Sequence, residues 1–234
     1  MISVIIPTLN EGKYLDRTLL AVKGQKYDGE VEIIVSDSYS DDDTQEIARK
    51  HGARVVLSDR LGPAVGRNRG AQAAKGDILV FLDADTIPSE HLLASITKIL
   101  EENKKVVGGT CKFLPYKGGV RDWLLYTLSN AMARIMITLG VPQDPGYCFF
   151  YRRDVFEKLG GLREDLVLNE THDLAIRSKA YGSFVYTNIP VFTSLRRYRK
   201  AGYLRTIWMY LSSAISYFKT GNVPKFKFRF EPVR

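Results

Sequence analysis

The stretch "ILVFLDADTIP", Ile78–Pro88, decides the predicted fold, because an apolar strand within it ends at two acids. Its first five residues are apolar without polar ones between them, which is typical of a strand covered on both faces. Asp83 and Asp85 follow directly, one residue apart. Two carboxylates this close raise each other's pKa unless a positive group lies between them. We therefore expect a divalent cation at the end of this strand.

The pattern of an apolar run followed by a helix occurs four times. Strands are predicted at Ile2–Pro7, Val31–Asp37, Ala53–Asp59 and Asp77–Asp85. Helices are predicted at Gly12–Gly24, Asp41–Gly52, Pro63–Lys75 and Ser89–Asn103, the last with Ser89 as its N-cap. Strands that alternate with helices in this way predict an α/β fold, with a mostly parallel central sheet flanked by helices.

The second half of the chain is less regular. Val106–Phe113 is predicted as a further strand, and Asp122–Leu139 as an apolar helix that packs in the core. "GYCFFYRR", Gly146–Arg153, predicts a strand that runs into a turn, and "THDLAIRSKAYG", Thr171–Gly182, predicts a helix capped by its last glycine. Because no stretch reaches 18 uncharged apolar residues, we predict no transmembrane helix.

Polar side chains follow three of the four early strands. They are Thr8, Asn10 and Glu11 after the first strand, Asp37 after the second, and Asp83 and Asp85 after the fourth. In parallel sheets ligands bind at the carboxyl ends of the strands, so these residues are predicted to line one rim. The chain lacks the GxGxxG and GxxxxGK[ST] loops that bind phosphate through backbone N–H groups. A hard cation on carboxylates is the remaining common way to hold a diphosphate.

Basic charge is concentrated at the C-terminal end of the chain. The net charge is +8, and residues 196–234 hold ten Lys and Arg residues against one acid. We therefore divide the chain into a domain of residues 1–195 and a basic segment of residues 196–234. Such a segment favours an anionic surface, either phospholipid or nucleic acid.

Within the basic segment, Tyr203–Phe218 predicts a helix with an apolar, aromatic face. Basic residues flank it at Arg196, Arg197, Arg199, Lys200, Lys219, Lys225, Lys227 and Arg229. These features are typical of a helix that lies in a membrane interface with anionic lipids. The alternative is a helix packed on the first domain with a solvated basic edge. A membrane position would favour a lipid-linked acceptor such as a polyprenyl phosphate or a glycolipid.

Cysteine usage and the N-terminal sequence bear on location. Cys111 and Cys148 form no CxxC motif, and the chain opens on a strand-like run with no signal peptide. We expect a cytoplasmic protein, peripheral on the cytoplasmic face of the membrane if the basic segment binds lipid.

Five blocks of the sequence resemble inverting glycosyltransferases of family 2, which have the GT-A fold. They are "VIIPTLNE" (Val4–Glu11), "IIVSDSYSDDDT" (Ile33–Thr44), "GRNRGAQAAKGDILVFLDAD" (Gly66–Asp85), "RRDVFEKLGGL" (Arg152–Leu162) and "ETHDLAIRSKAYG" (Glu170–Gly182). The blocks occur in the family's order and cover most of residues 1–182. The resemblance implies transfer of a sugar from a nucleotide-diphosphate donor of the UDP or GDP type, assisted by Mg²⁺ or Mn²⁺.

The resemblance also implies which residues bind the donor. Pro7, Thr8, Asn10 and Glu11 match the first nucleotide-binding loop. Asp37 matches the aspartate that contacts the base, and Arg67 matches the arginine of the "aRNxG" block. Asp83 and Asp85 match the D-x-D that reaches the ribose and the metal, with Asp85 as the direct metal ligand.

The catalytic base is less clearly implied. The family usually carries a Glu-Asp pair where this chain has Glu170-Thr171, and the missing aspartate is the usual base. Glu170 is therefore the first candidate and Asp173 the second.

Two other functions are compatible with parts of the sequence. "LDADT", Leu82–Thr86, also fits the DxDxT motif of haloacid-dehalogenase-type phosphatases, although no later strand supplies their second acid pair convincingly. The basic, aromatic "KFKFRF", Lys225–Phe230, suits a nucleic-acid-binding module, although an acid-lined rim would repel phosphate backbones. We expect no nucleic-acid partner.

Overall fold

A computed structural model of the chain describes residues 1–221. The strands are β1 (Ile2–Thr8), β2 (Val31–Asp37), β3 (Arg54–Leu57), β4 (Ile78–Leu82), β5 (Thr86–Pro88), β6 (Val106–Pro115), β7 (Cys148–Arg152) and β8 (Ser183–Thr193). The helices are α1 (Gly12–Lys23), α2 (Thr44–Lys50), α3 (Pro63–Ala73), α4 (Leu92–Glu102), α5 (Val120–Thr138), α6 (Arg153–Lys158), α7 (Glu170–Ser178), α8 (Arg196–Ala201) and α9 (Tyr203–Thr220). The predicted basic residues Lys225, Lys227 and Arg229 lie outside the described residues.

The strands form one sheet in the order β3-β2-β1-β4-β7-β6-β8-β5. The four early strands are parallel to one another, whereas β7 pairs antiparallel with both β4 and β6. The predicted α/β fold with helices around a mostly parallel sheet is confirmed. The sequence patterns missed β5 and β8, which pair antiparallel at the edge of the sheet.

Strand β1 shows why the early runs do not alternate between polar and apolar residues. Val4 and Ile6 pack into the core cluster that includes residues of α1 and α4, and Ile5 packs into a second cluster that includes residues of α3. Because helices cover both faces, every side chain in the middle of the strand is apolar. On α3, a Cβ atom at Gly70 would lie 2.4 Å from Cγ2 of Ile5, so this helix approaches β1 closely only because position 70 is glycine.

Two predicted helix caps are wrong. Helix α4 begins at Leu92 with His91 in the N-cap position, and Ser89 contributes only its carbonyl, which accepts a hydrogen bond from the Leu92 N–H. Helix α7 ends at Ser178, so Gly182 lies beyond its cap. A Cβ atom at Gly182 would lie 2.4 Å from the Lys105 carbonyl oxygen, and close backbone approach accounts for this glycine instead.

The helix after β6 packs against the core with one side only, and that side carries polar residues as well as Tyr126, which belongs to the same core cluster as Val4 and Ile6. The buried residues of α5 are Asp122, Tyr126, Asn130 and Ala133, at helical spacing. Asn130 donates from Nδ2 to the carbonyl of Phe113 at 2.7 Å, which ties this face to β6. Several other apolar side chains of α5 are left at the surface, with Val120 88% exposed and Leu128 61% exposed.

Helix α9 likewise presents apolar side chains at the surface. Leu204 is 82% exposed and Trp208 is 69% exposed, and Leu211, Ile215 and Phe218 are exposed on the same helix. Within residues 1–221, no helix has the length and apolar character needed to cross a membrane.

Candidate functional site

Arg67 lies at the centre of the candidate site and joins three separate parts of the chain. It projects from α3 and donates to Asp83 Oδ1 at 2.8 Å, to Glu170 Oε1 at 2.9 Å and to the Gly146 carbonyl at 3.0 Å. Its side chain is only 5% exposed. Burial alone would lower the pKa of the guanidinium, but the charges of Asp83 and Glu170 outweigh burial and raise that pKa. The arginine is therefore a permanent buried cation that holds both carboxylates in place.

The two acids at the end of β4 are each paired with a different arginine. Asp83 pairs with Arg67, and Asp85 forms an ion pair with Arg196, with its Oδ2 2.9 Å from Nε. The sequence predicted a divalent cation beside Asp83 and Asp85. In the structure, one guanidinium group lies beside each of these two carboxylates instead. Burial raises the pKa of Asp85 to about 6, although Arg196 acts to lower it. Residues 1–221 contain no group of three or more His, Cys, Asp or Glu side chains that could hold a metal ion.

Glu11 shares Arg196 with Asp85. The guanidinium donates to both carboxylate oxygens of Glu11, at 2.7 and 2.5 Å, while its Nε binds Asp85. Burial raises the pKa of Glu11 to about 7 in spite of this pairing. The sequence patterns missed Arg196 as a residue of the rim, because it opens the basic segment and resembles the other flanking cations there.

Asp37 is fully buried and fixes the loop that follows β2. Its Oδ1 accepts from the hydroxyls of Thr8 at 2.8 Å and Ser40 at 2.5 Å. Its Oδ2 accepts from the Ser40 N–H at 2.9 Å and from Gln45 Nε2 at 2.8 Å. All four donors belong to the protein itself, and two of them bind each carboxylate oxygen. Contact of Asp37 with a nucleotide base therefore stays a prediction.

The loop after β1 is joined to the same structure. Asn10 has a left-handed backbone, with φ 57°, and its Oδ1 accepts from the Asp41 N–H at 2.8 Å. Pro7 lies against α3, where a Cβ atom at Gly66 would be 3.1 Å from the Pro7 Cβ. Pro7, Thr8 and Asn10 therefore shape the rim, and their contacts with a nucleotide stay predictions.

The two candidate bases have different surroundings. Glu170 opens α7 and faces Arg67, whereas Asp173 accepts from Arg177 Nε at 2.6 Å through Oδ2 and from the Tyr217 hydroxyl at 2.8 Å through Oδ1. The structure brings Glu170 into the network with Asp83 and leaves Asp173 in a separate network.

Thr171 stands where the family usually carries aspartate, and it has a structural role here. Its hydroxyl donates to the Asp144 carbonyl at 2.7 Å, and Asp144 Oδ1 in turn accepts from the Gly146 N–H at 2.9 Å. The Gly146 carbonyl then accepts from Arg67, so this chain of bonds supports the central arginine. Gly146 has φ +83°, a conformation that favours glycine.

Asp144 was missed from the sequence, and only the turn-forming Asp-Pro-Gly at residues 144–146 could have drawn attention to it. It is fully buried, and its Oδ1 also accepts from the Thr110 hydroxyl at 3.0 Å. Burial raises the pKa of its carboxyl to about 7.

Comparison with solved structures shows the same fold. The chain superposes on the mannosyltransferase PcManGT from Pyrobaculum calidifontis with a TM-score of 0.72, at 22% identity, covering 95% of this chain and 65% of that one. It superposes on the glucosyl-3-phosphoglycerate synthase of Mycobacterium tuberculosis with a TM-score of 0.69, at 24% identity, covering 95% and 80% of the two chains. At these identities the likeness concerns the fold.

Sequence comparison finds curated relatives that are longer than this chain. Glycosyltransferase AglE from Haloferax volcanii is 30% identical over 175 residues, which are 71% of this chain and 57% of the relative. The 4,4'-diaponeurosporenoate glycosyltransferase of Staphylococcus haemolyticus is 43% identical over 147 residues, which are 59% and 37%. The aligned part thus covers little more than half of the first relative and less of the second.

The family model described as "Glycosyl transferase family 2" matches residues 3–160, which include β1–β7 and the acids of the β4 end. This match decides against the phosphatase alternative and confirms the resemblance found in the sequence. The chain belongs to glycosyl transferase family 2.

Proposed function

We propose that this protein transfers a sugar from a nucleotide-diphosphate donor to an acceptor, with inversion at the anomeric carbon. One observation carries the proposal: in a family 2 chain, Arg67 joins Asp83 and Glu170 at the carboxyl end of β4. A departing diphosphate needs positive charge, and an attacking hydroxyl needs a nearby base. A buried cation and a carboxylate that could fill these two roles lie side by side.

The proposed donor is of the UDP or GDP type. The solved neighbours include complexes with GDP-Man, with UDP-GlcNAc and with UDP, which supports both nucleotides. The ends of β1 and β2, with Pro7, Thr8 and Asp37, and the loop that contains Asn10 form the proposed nucleotide-binding surface.

Mg²⁺ or Mn²⁺ is the proposed cofactor, and the residues of the rim fit it. Asp83 and Asp85 provide carboxylate oxygens, which these cations prefer, and one or two carboxylates are enough when phosphate oxygens and water complete the shell. Burial raises the pKa of Asp85 and so disfavours its ionised form, and the positive charge of a bound cation would favour that form again. Asp85 would hold the metal directly, and Asp83 would reach the metal or the ribose. When bound, the metal supplies positive charge that stabilises the leaving nucleoside diphosphate. Mn²⁺ in two neighbouring structures supports the assignment.

Glu170 is the proposed base. The acceptor oxygen forms a bond to the anomeric carbon as the bond from that carbon to the diphosphate oxygen breaks, and the hydroxyl proton passes to Glu170. Arg67 orients the carboxylate through Oε1. Asp173, the second candidate, is less well supported because Arg177 and Tyr217 bind its two oxygens.

A lipid-linked acceptor at an anionic membrane surface completes the proposal, with the protein on the cytoplasmic face. The exposed apolar residues of α9 and α5 support it, because each helix offers a hydrophobic stripe to an interface. The Tyr203 hydroxyl donates to Asp122, so the two helices meet at their first turns. A relative from Campylobacter jejuni, 30% identical over 117 residues, is named for a substrate linked to undecaprenol.

A thermal-shift screen with UDP-, GDP- and TDP-sugars, with Mn²⁺ or Mg²⁺, tests donor binding. A ligand at 100 times its Kd stabilises the folded state by about 2.7 kcal/mol, which corresponds to a rise of roughly 5–10 °C in Tm for a chain of this size. The Asp83→Asn/Asp85→Asn variant should lose the metal-dependent part of the shift, whereas the exposed control Asp59→Asn should keep it. Absence of any shift with every donor and metal would overturn the proposed function.

Flotation with anionic vesicles tests the membrane part separately. We expect the wild-type protein to float at low salt and less at high salt, and the Leu204→Ser/Trp208→Ser variant to stay at the bottom. Leu61 is 71% exposed and Leu20 is 55% exposed, and neither belongs to α5 or α9, so Leu20→Ser/Leu61→Ser is a matched control that should float. If the wild-type protein fails to float at either salt concentration, the membrane proposal is wrong.

A further inference from the structure

Arg196 connects the end of β8 to the acids of the donor rim. All three nitrogens of its guanidinium group bind carboxylates: Nη1 and Nη2 bind Glu11 at 2.7 and 2.5 Å, and Nε binds Asp85 at 2.9 Å. The ring of Tyr14 lies 4.9 Å from the guanidinium carbon. The side chain is 22% exposed, against 13% for Glu11 and 9% for Asp85, so these contacts are largely shielded from water.

This arrangement places a built-in cation on the carboxylate that is the proposed metal ligand. A divalent ion on Asp85 would lie within a few ångströms of Arg196, and two cations on one carboxylate repel each other strongly where solvent screening is weak. Metal and Arg196 therefore compete for Asp85 while no diphosphate is bound. A bound diphosphate changes this balance, because a guanidinium binds phosphate oxygens in the same forked geometry as it binds carboxylates.

We propose that Arg196 acts as a lock on the metal site, released by the donor's diphosphate. In the free protein, Arg196 pairs with both Glu11 and Asp85 and keeps divalent metal affinity low. When a nucleoside diphosphate binds, Arg196 moves its Nε from Asp85 to the phosphate oxygens, and the broken ion pair leaves Asp85 available to the metal. The inference rests on the proposed function and deepens it, since it makes binding of metal and donor mutually dependent.

The lock predicts a measurable coupling between two ligands. Nucleotide should raise the affinity for metal, and by thermodynamic linkage metal should raise the affinity for nucleotide by the same factor. Removing the Arg196 guanidinium should reduce both the effect of nucleotide on the affinity for metal and the effect of metal on the affinity for nucleotide. Metal alone should then bind more tightly, whereas the nucleotide loses a phosphate ligand.

The experiment is a titration of Mn²⁺ followed by the electron paramagnetic resonance signal of the free ion, with and without saturating UDP or GDP. For the wild-type protein we expect Mn²⁺ to bind at least about tenfold more tightly with nucleotide than without it. For Arg196→Gln we expect at least about tenfold tighter binding of Mn²⁺ alone than in the wild type. Arg199→Gln is the matched control from the same helix, because Arg199 is exposed and donates to the Lys117 carbonyl. It should behave like the wild type.

A second variant guards against a folding defect in the first. Glu11→Gln leaves Arg196 in place but weakens its anchor, so it should give an intermediate gain in affinity for Mn²⁺ alone. Melting curves of all variants establish that they are folded. If Mn²⁺ alone binds neither Arg196→Gln nor Glu11→Gln more tightly than the wild type, the lock does not exist. If the wild-type protein binds Mn²⁺ and nucleotide but without coupling, the lock is also wrong while the proposed function stands. If neither UDP nor GDP binds under any condition, the proposed function fails and the lock with it.

Discussion

Replacing Arg67 with methionine should destabilise the protein more than the loss of any surface arginine. Methionine keeps much of the apolar volume but removes the cation that pairs with Asp83 and Glu170. The Arg67 side chain is 5% exposed, and its partners are 30% and 13% exposed, so both ion pairs lie in a weakly solvated region. Breaking a buried pair by removing one partner costs about 3–5 kcal/mol, because the other partner is left charged and unpaired.

The expected change in melting temperature follows from the size of the chain. For domains of 150–250 residues, each kcal/mol corresponds to roughly 2–4 °C, so Arg67→Met should lower Tm by about 10 °C or more. Adding Asp83→Asn and Glu170→Gln to Arg67→Met removes the two carboxylates that are left without a partner and should restore part of the lost stability. The effects of substitutions at residues in one network are not additive.

Differential scanning fluorimetry and urea denaturation provide the measurement. The control is Arg69→Met on the same helix, whose side chain is 37% exposed and pairs with Asp59 in solvent. Exposed ion pairs contribute little, so this control should melt within about 2 °C of the wild type. The picture of Arg67 as the central buried cation is refuted if the two variants melt at the same temperature.

Three other predictions concern the base, the buried acid and the packing of α3. Glu170→Gln should lower kcat by about 10²–10⁴-fold, the range for loss of a general base, and Asp173→Asn by far less; the reverse order in a steady-state transfer assay would make Asp173 the base. The pKa of about 7 for Asp144 lies above its unfolded value of about 3.9, so the native state holds an extra proton and wild-type stability falls as pH rises from about 4 to 7. The free energy of unfolding of Asp144→Asn, measured by urea denaturation, should therefore rise relative to that of the wild type between pH 5 and 8, by on the order of a few kcal/mol. A difference between the two proteins that does not change with pH would contradict the raised pKa of Asp144. Gly70→Ala should destabilise the protein by about 1–3 kcal/mol in the same measurement, because the new methyl group overlaps Ile5, whereas Gly119→Ala enters open space and should have little effect.

Local patterns were sufficient for the parallel half of the sheet. Each early strand is a short apolar run that ends in polar residues, and helices on both faces explain why the run is continuous. Val31–Asp37 was predicted with the boundaries that the structure has, and the other early strands differ by a few residues at their ends. The acids at the end of β4 could be recognised because they interrupt an apolar run where ligands usually bind.

The parts that failed depend on contacts between distant residues. Apolar composition predicted burial of α5, but only one side of it is buried, and that side carries Asn130, bonded to the Phe113 carbonyl, beside Tyr126. The role of Arg196 depends on the path of the chain after β8, which returns it to Glu11, 185 residues earlier in sequence. Thr171 illustrates the same limit, since its partner is a backbone carbonyl that no side-chain pattern identifies.

The most direct test of the central claim is a crystal structure with Mn²⁺ and UDP or GDP, with the metal located by its anomalous scattering. We predict one manganese peak within coordinating distance of the Asp85 carboxylate and of the diphosphate, with the nucleotide along the rim formed by β1, β2 and β4. A manganese peak remote from Asp85, or a nucleotide bound away from that rim, would contradict the account.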